Sequence, residues 1–257
     1  MNIVAAARRR ILQAGVLVVL MILLIPISMI ILSSLTSQSF PTLPSTIDFR
    51  WYGDLLTNRL IHESLIASFI VATFSSILAT IIGTVTAYGF VRHEFPFKEL
   101  FSTLMLFPLM ISPIITGVAI IQYVSHFGVS GGYLTLIMGH TVLVFPFVFL
   151  IIRSALSTFD RDLEKSSIVL GATPTASFIN ITIPIITPAL TSAVLVAFLV
   201  SFGEFTATQF LVSADTTTVP VVIYTMMRTG VTPVITALGT VLIVIMIIFG
   251  IMSEVLG

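Results

Sequence analysis

Long stretches without a charged residue constrain the fold of this chain more than any other feature. Five stretches of 25 to 53 residues contain no Asp, Glu, Lys or Arg. A helix needs roughly 20 apolar residues to cross the hydrocarbon core of a bilayer. Only 9% of the residues are charged, whereas a soluble domain has about 25%. We therefore expect the chain to lie in a membrane. The stretches cover residues 11–47, 64–91, 100–152, 166–203 and 229–253.

The lengths of these stretches predict an all-α, polytopic fold with six transmembrane helices. The 53-residue stretch must hold two passes with a turn near residues 125–132, and residues 166–203 hold a loop followed by one pass. The first helix is too long for the apolar region of a signal peptide, so we interpret it as a retained span. The predicted helices lie near residues 11–33, 64–90, 100–124, 133–152, 186–209 and 232–252.

Two features predict how these helices pack. Pro108 and Pro113 interrupt the third span, and a proline there frees backbone carbonyls that neighbours must satisfy. Small residues in the second span allow another helix to approach closely. They are Ser75, Ser76, Ala79, Gly83 and Ala87.

The distribution of basic residues predicts the orientation, since cytoplasmic segments carry an excess of Lys and Arg. With the N-terminus inside, eight of the eleven basic residues are cytoplasmic, and only Arg50, Arg59 and Arg228 lie outside. Both termini are then cytoplasmic, and so are residues 163–188. The eight are Arg8, Arg9, Arg10, Arg92, Lys98, Arg153, Arg161 and Lys165.

Several function classes lack the residues they require. The absence of cysteine excludes disulfide and thiolate chemistry, and a net charge of zero argues against a nucleic-acid partner. There is no P-loop sequence, so any ATP is expected to be hydrolysed on another polypeptide. Neither His126 nor His140 has acidic neighbours at ligand spacing, so we predict no metal site and no cofactor.

Residues 163–188 form the most informative segment, because glycine and proline punctuate a polar stretch inside a membrane chain. Residues 163–170 are compatible with a helix, and Gly171 suits the position after its C-cap. Thr173 can cap a second helix, with Pro174 in its first turn. The segment is therefore predicted to be two short helices broken at one point.

The order of residues in this segment resembles the cytoplasmic loop of binding-protein-dependent ABC importer permeases. That loop reads E-A-A, three residues, Gly, nine residues, then Ile-x-Leu-Pro. In this chain Gly171 and Ile181 keep the spacing, and Pro184 ends the motif. The E-A-A itself is replaced by K-S-S at residues 165–167, with Glu164 one position early.

Other parts of the chain extend the resemblance to about residues 60–250. Residues 92–98 (RHEFPFK) look like the short basic turn between the second and third core helices of that family. Residues 216–242 resemble the tail of spermidine/putrescine-type permeases. Residues 201–210 (SFGEFTATQF) resemble a G-E-F-x-A-T segment of permeases for oxyanions, iron, thiamine or phosphonates as much as the acidic site of polyamine permeases.

The resemblance implies one transmembrane permease domain over residues 1–257, with a coupling loop at about 153–188. It implies a multi-pass protein of a prokaryotic plasma membrane that works with a cytoplasmic ATPase dimer, a second permease subunit and an extracytoplasmic substrate-binding protein. The protein itself would then not be an enzyme. The coupling residues would be Glu164, Lys165, Ser166, Ser167, Gly171, Ala172, Thr173, Pro174, Ile181 and Pro184.

Glu204 is the ionisable residue deep within the predicted fifth span. Intramembrane carboxylates are costly, so it is a candidate to line the translocation path; a structural, helix-pairing carboxyl is the alternative. Polyamine is the first expected cargo, on the tail resemblance, and an oxyanion, phosphonate, thiamine or ferric iron is the second. A stand-alone secondary transporter or channel is the alternative class, although it usually needs more coupling carboxylates than Glu204 alone.

Overall fold

The computed structural model describes residues 2–36, 47–230 and 232–256, and the regular elements in these ranges are helices. The residues form two compact units, Met1–His62 with Ile223–Val244 and Glu63–Val222 with Ile245–Gly257. In chain order the elements are α1 (Asn2–Ser34), α2 (Arg50–Thr57), α3 (Arg59–Arg92), α4 (Lys98–Met105), α5 (Phe107–Met110), α6 (Pro113–Ser125), α7 (Tyr133–Thr158), α8 (Arg161–Val169), α9 (Pro174–Ser177), a π-helix (Phe178–Thr182), α10 (Ile183–Ile185), α11 (Thr187–Phe202), α12 (Thr208–Leu211), α13 (Val219–Thr229) and α14 (Pro233–Leu256).

Four helices in the described ranges are long and apolar enough to cross a bilayer, and a fifth crossing results if one bent pair of helices counts as a single span. The four lie in α1, α3, α7 and α14, at the first, second, fourth and sixth predicted spans. The all-α membrane fold is thereby confirmed. Six crossings, cytoplasmic termini and a single domain stay predictions.

The third predicted span is not one helix. It consists of α4, α5 and α6, which are 8, 4 and 13 residues long. Pro108 and Pro113 lie in the first turns of α5 and α6, where a missing N–H costs nothing. Ser112 is extended, with φ −59° and ψ 132°, because a following proline disfavours the helical conformation. Each proline therefore begins a new helix.

The fifth span differs from its predicted bounds of 186–209 at both ends. At its start α11 meets the preceding helical segment at an angle of 72°. Pro184 and Pro188 flank this bend at Ile186, and each removes a backbone donor from the helix. At its other end α11 stops at Phe202. Glu204 therefore lies after the helix, and the prediction that this helix continues to residue 209 is wrong.

Small residues bring α3, α7 and α11 together in the unit that contains residues 63–222. A Cβ atom at Gly83 would lie 2.6 Å from Val148 Cγ1, so α3 and α7 approach closely at this glycine. Ser75 Oγ also donates to the carbonyl of Ile137 at 3.2 Å. The predicted close packing of the second span is confirmed. The fully buried alanines at these contacts are Ala79, Ala87, Ala193 and Ala197.

In the other unit, α2 is tied to the end of α1. The Trp51 indole donates to the carbonyl of Thr36 at 2.8 Å, and the Tyr52 hydroxyl is 2.7 Å from Ser34 Oγ. The Arg50 guanidinium lies over the Trp51 ring at 4.3 Å. The two aromatic side chains thus satisfy polar groups where the long helix ends.

The predicted orientation can be tested directly because the chain has no cysteine of its own. Val169 and Phe127 are 86% and 70% exposed, and the basic-residue bias places them on opposite sides of the membrane. In intact cells a membrane-impermeant maleimide should label Phe127→Cys and should label Val169→Cys only after permeabilisation. The unsubstituted protein is the control. Labelling of Val169→Cys in intact cells would reverse the assignment.

Candidate functional site

The first of the two short helices, α8, begins at a side-chain cap. The Asp160 carboxylate accepts a hydrogen bond from the amide of Asp162 at 2.9 Å. Asp162 and Glu164 lie in the first turn, where negative charge interacts favourably with the helix dipole. Local chemistry therefore fixes where this helix starts.

The break after α8 has the geometry that the sequence predicts. Gly171 has φ +97°, a left-handed conformation that glycine adopts without steric cost. Its amide donates to Ile168 O, and the amide of Ala172 donates to Ser167 O, each at 3.0 Å. These two bonds define a Schellman turn. The predicted break at Gly171 is confirmed.

The second helix also starts as predicted. Thr173 Oγ1 accepts from the amide of Ala176 at 3.2 Å, and Pro174 opens the helix. Further on, the amide of Ile183 bonds to the carbonyl of Phe178, five residues back, which is the π-helical spacing. Ile181 lies inside this π-helix, and Pro184 follows in α10. Pro174, Ile181 and Pro184 thus lie in one continuous, irregular helical segment after the break.

Glu164 is buried and faces the interior of the chain. Its carboxylate contacts the Arg92 guanidinium at the end of α3, with Nη2 to Oε1 at 3.0 Å and Nε to Oε2 at 2.9 Å. The first contact is a hydrogen bond, whereas the second is close but poorly aligned for one. The two side chains are only 5% and 10% exposed. This carboxylate therefore already has a partner within the chain.

A second set of bonds ties Glu164 to the segment that follows Gly171. Thr182 Oγ1 donates to Glu164 Oε1 at 2.6 Å. Ser167 Oγ donates to the carbonyl of Glu164 at 2.8 Å and lies 2.7 Å from Ser177 Oγ. One acidic residue therefore holds together α3, α8 and the π-helix. No local pattern in the sequence indicates this contact, since Arg92 and Glu164 are 72 residues apart.

The other face of α8 is exposed. Lys165 Nζ and Asp162 Oδ1 form an ion pair of 2.7 Å, with side chains 68% and 74% exposed. The hydrogen bond from Lys165, together with its charge, lowers the pKa of Asp162. Val169 and Leu170, at the end of the helix, are 86% and 88% exposed. The helix therefore presents Lys165 and several aliphatic side chains to its surroundings, of which Val169 and Leu170 are the most exposed.

Glu204 lies in a bend between α11 and α12. Its Oε1 accepts from the amide of Ala207 at 2.8 Å, and its carbonyl accepts from Thr208 Oγ1 at 2.8 Å. Local bonds of this kind compete with the helical pattern and explain why α11 ends before residue 209. The side chain is partly exposed. Its second oxygen is thus available for another contact.

Comparison with known proteins identifies the fold and the family. Residues 79–257 match the family described as binding-protein-dependent transport system inner membrane component. The chain belongs to this family. It is a multi-pass permease subunit of an ABC importer in a prokaryotic inner membrane.

Two relatives cover most of this permease. It is 30% identical over 243 residues to the spermidine/putrescine transport system permease protein PotC of Haemophilus influenzae, covering 94% of each chain. It is also 30% identical to the putrescine transport system permease protein PotI of Escherichia coli, covering 85% of this chain and 80% of the relative. These relatives are permease subunits.

Solved structures share the fold of this permease at low sequence identity. One is a bacterial ABC transporter involved in the import of the acidic polysaccharide alginate, with a TM-score of 0.72, 18% identity and coverage of 97% of this chain and 95% of that one. Another is the MetNI methionine ABC transporter in inward-facing conformations, with a TM-score of 0.64, 19% identity and coverage of 79% and 94%. At this identity the likeness concerns the fold alone.

The buried ion pair generates a prediction about stability. Removing one partner of a buried pair leaves an uncompensated charge and costs about 3–5 kcal/mol. We expect Arg92→Ala or Glu164→Ala to lower the thermal unfolding temperature of the purified permease strongly. The double exchange Arg92→Glu with Glu164→Arg should recover part of the loss.

The exposed pair on the same helix supplies a matched control. Lys165→Ala should leave the unfolding temperature almost unchanged, because solvent-exposed pairs contribute little. Equal effects of Lys165→Ala and Glu164→Ala would contradict the structural role assigned to the buried pair.

Proposed function

We propose that this permease carries polyamines across the membrane, driven by a separate ATPase dimer that docks on α8 and α9. The observation that carries the coupling proposal is the two-sided construction of α8. One face is anchored inside the permease through Glu164, and the opposite face exposes Lys165, Val169 and Leu170. A helix built in this way can pass a force from a partner to the spans behind it.

The exposed end of α8 has the chemistry of a docking surface. Two adjacent aliphatic side chains that are almost fully exposed favour burial against a partner, since each large aliphatic group contributes about 1.5–3 kcal/mol when buried. Ser166 and Thr173 are also exposed and can add polar contacts at the edge. Because Glu164 is buried, it is not available for the contact that a family glutamate would make, and Lys165, which carries the opposite charge, would contact the ATPase in a different way.

The mechanism that we propose is a two-state rearrangement without chemistry on the cargo. ATP closes the ATPase dimer, and α8 and α9 move with it. The permease and a second, related permease subunit then switch from inward-open to outward-open and accept cargo from a binding protein. A partner can drive such a switch only through contacts that differ between the two states.

The docking surface predicts a loss of ATPase binding on substitution. In Val169→Ser with Leu170→Ser, the apparent affinity for the purified ATPase should fall by at least about tenfold, because most of the buried aliphatic area is lost. Leu56→Ser is the control, since Leu56 is 82% exposed on α2 and lies on the opposite side in the predicted topology. Undiminished binding in the double variant would rule out this surface. Transport that persists without any ATPase would instead favour a secondary transporter or channel.

The polyamine assignment rests on the two relatives whose names state spermidine or putrescine transport and on Glu204. A carboxylate in the passage offsets the cost of moving a cation into a region of low dielectric. Polyamines are cations, so a partly exposed carboxylate oxygen suits them. An oxyanion would be repelled by the same group.

The variant Glu204→Gln tests the charge of this side chain separately from its hydrogen bond. Glutamine keeps an oxygen that can accept from the amide of Ala207, as Glu204 Oε1 does at 2.8 Å, so the bend is retained while the charge is removed. For a polyamine importer we expect uptake to fall by about tenfold or more with unchanged affinity of the binding protein for polyamine. For an oxyanion importer the effect on uptake should be mild.

Glu204→Ala is the companion variant, because it removes the charge and the cap together. A much larger loss in Glu204→Ala than in Glu204→Gln would indicate that the carboxyl is mainly structural. Wild-type uptake and assembly in both variants would reject a role for Glu204 in passage.

A further inference from the structure

His140 is a buried side chain next to the bend that contains Glu204, and it has no part in the function proposed so far. It lies in α7 and is 1% exposed. Both ring nitrogens are bonded to hydroxyl groups: Nδ1 lies 2.7 Å from Ser201 Oγ, and Nε2 lies 2.9 Å from Thr208 Oγ1. A buried imidazole bonded at both nitrogens is held in one orientation.

The two partners of His140 stand on either side of the bend that contains Glu204. Ser201 belongs to the last turn of α11, and Thr208 is the first residue of α12. The imidazole therefore spans the break in the helix from one end to the other.

The direction of each hydrogen bond follows from the donors available. Thr208 Oγ1 has one proton, which it donates to the carbonyl of Glu204 at 2.8 Å. The hydroxyl can then only accept from His140, so we assign the ring proton to Nε2. In the neutral ring Nδ1 accepts from the hydroxyl of Ser201. One tautomer thus satisfies all three groups.

A second contact holds the same bend from another side. A Cβ atom at Gly117 of α6 would lie 2.8 Å from Ala207 O and 3.0 Å from its Cα, so the backbones approach each other closely here. Ala207 and Thr208 are fully buried. The Glu204 carboxylate, which caps the amide of Ala207, is therefore positioned by a segment fixed on two sides.

We propose that His140 is a positioning residue that holds the bend of residues 201–208, and through it the Glu204 carboxylate, in one arrangement. The effect on transport rests on the proposed function of Glu204, whereas the effect on the bend does not. Substitution of His140 should therefore loosen the bend even where the protein still assembles.

A cysteine reporter measures this loosening in the assembled transporter. Thr206, within the bend, is partly buried, and the chain is otherwise free of cysteine. In Thr206→Cys, the rate of maleimide labelling should rise about tenfold when His140→Ala is added, because two buried hydrogen bonds are lost. His140→Asn can keep a contact near the Nδ1 position and His140→Gln one near the Nε2 position, so both should show smaller increases.

Uptake separates positioning from a mere loss of folded protein. The KM for uptake of putrescine, the probe cargo, should rise in the same order as the labelling rate, with the alanine variant highest. A role in folding alone would lower the maximal rate through reduced assembly, with labelling per assembled transporter unchanged. Where His140→Ala does not assemble, Ser201→Ala removes one partner while leaving the histidine and the bond from Thr208 to Glu204, and should raise the labelling rate more than about twofold.

Two outcomes decide the matter. Labelling within about twofold of the parent in the assembled His140→Ala or Ser201→Ala variant would overturn the proposal. Increased labelling together with normal uptake in Glu204→Gln would support the positioning of the bend by His140 and would reject the proposed function of Glu204.

Discussion

The ion pair between Arg92 and Glu164 is the interaction on which the candidate coupling site depends. Two charged side chains that are almost completely buried must be paired and hydrogen-bonded, because the cost of desolvation is otherwise several kcal/mol per charge. Here the carboxylate also accepts from Thr182. The exposed face of α8 is presented in a defined direction because its opposite face is fixed in this way. An irregular segment held only by its two ends would not have that property.

Backbone satisfaction explains the other irregularities of this membrane chain. A helix that stops leaves backbone donors and acceptors without partners, and within the apolar region no water can supply them, so each break requires a local substitute. At Gly171 the substitute is a Schellman turn, and at Glu204 it is a carboxylate that caps the amide of Ala207. At Pro108 and Pro113 the prolines remove the donors that would have been unsatisfied. Every break described here thus has a chemical solution in the nearby sequence.

The features that the sequence predicted correctly are those governed by neighbours along the chain. Gly171, Thr173 and Pro174 act through the residues next to them, so their roles could be inferred without a structure. Glu164 and Arg92 are 72 positions apart, and His140 is 61 and 68 positions from its two partners. A periodic pattern of apolar residues does not indicate contacts between residues so far apart in the chain. The predicted end of α11, residue 209, is wrong for a related reason. Apolar content continues past Phe202, but side-chain bonds from Glu204 and Thr208 end the helix first.

The two sites are joined by α11 and the helical segment that precedes it, which bears on how a movement could pass between them. The segment before α11 carries Thr182, which is bonded to Glu164. The last turn of α11 carries Ser201, which is bonded to His140. The 16 residues of α11 span about 24 Å at 1.5 Å per residue, so a shift at one end reaches the other with little internal deformation. Energetic coupling requires an element whose arrangement both sites bias. Glu164 holds the segment that precedes the bend at Ile186, and His140 holds the last turn of α11. The bend at Ile186 is therefore where a change in the angle between the two can be accommodated.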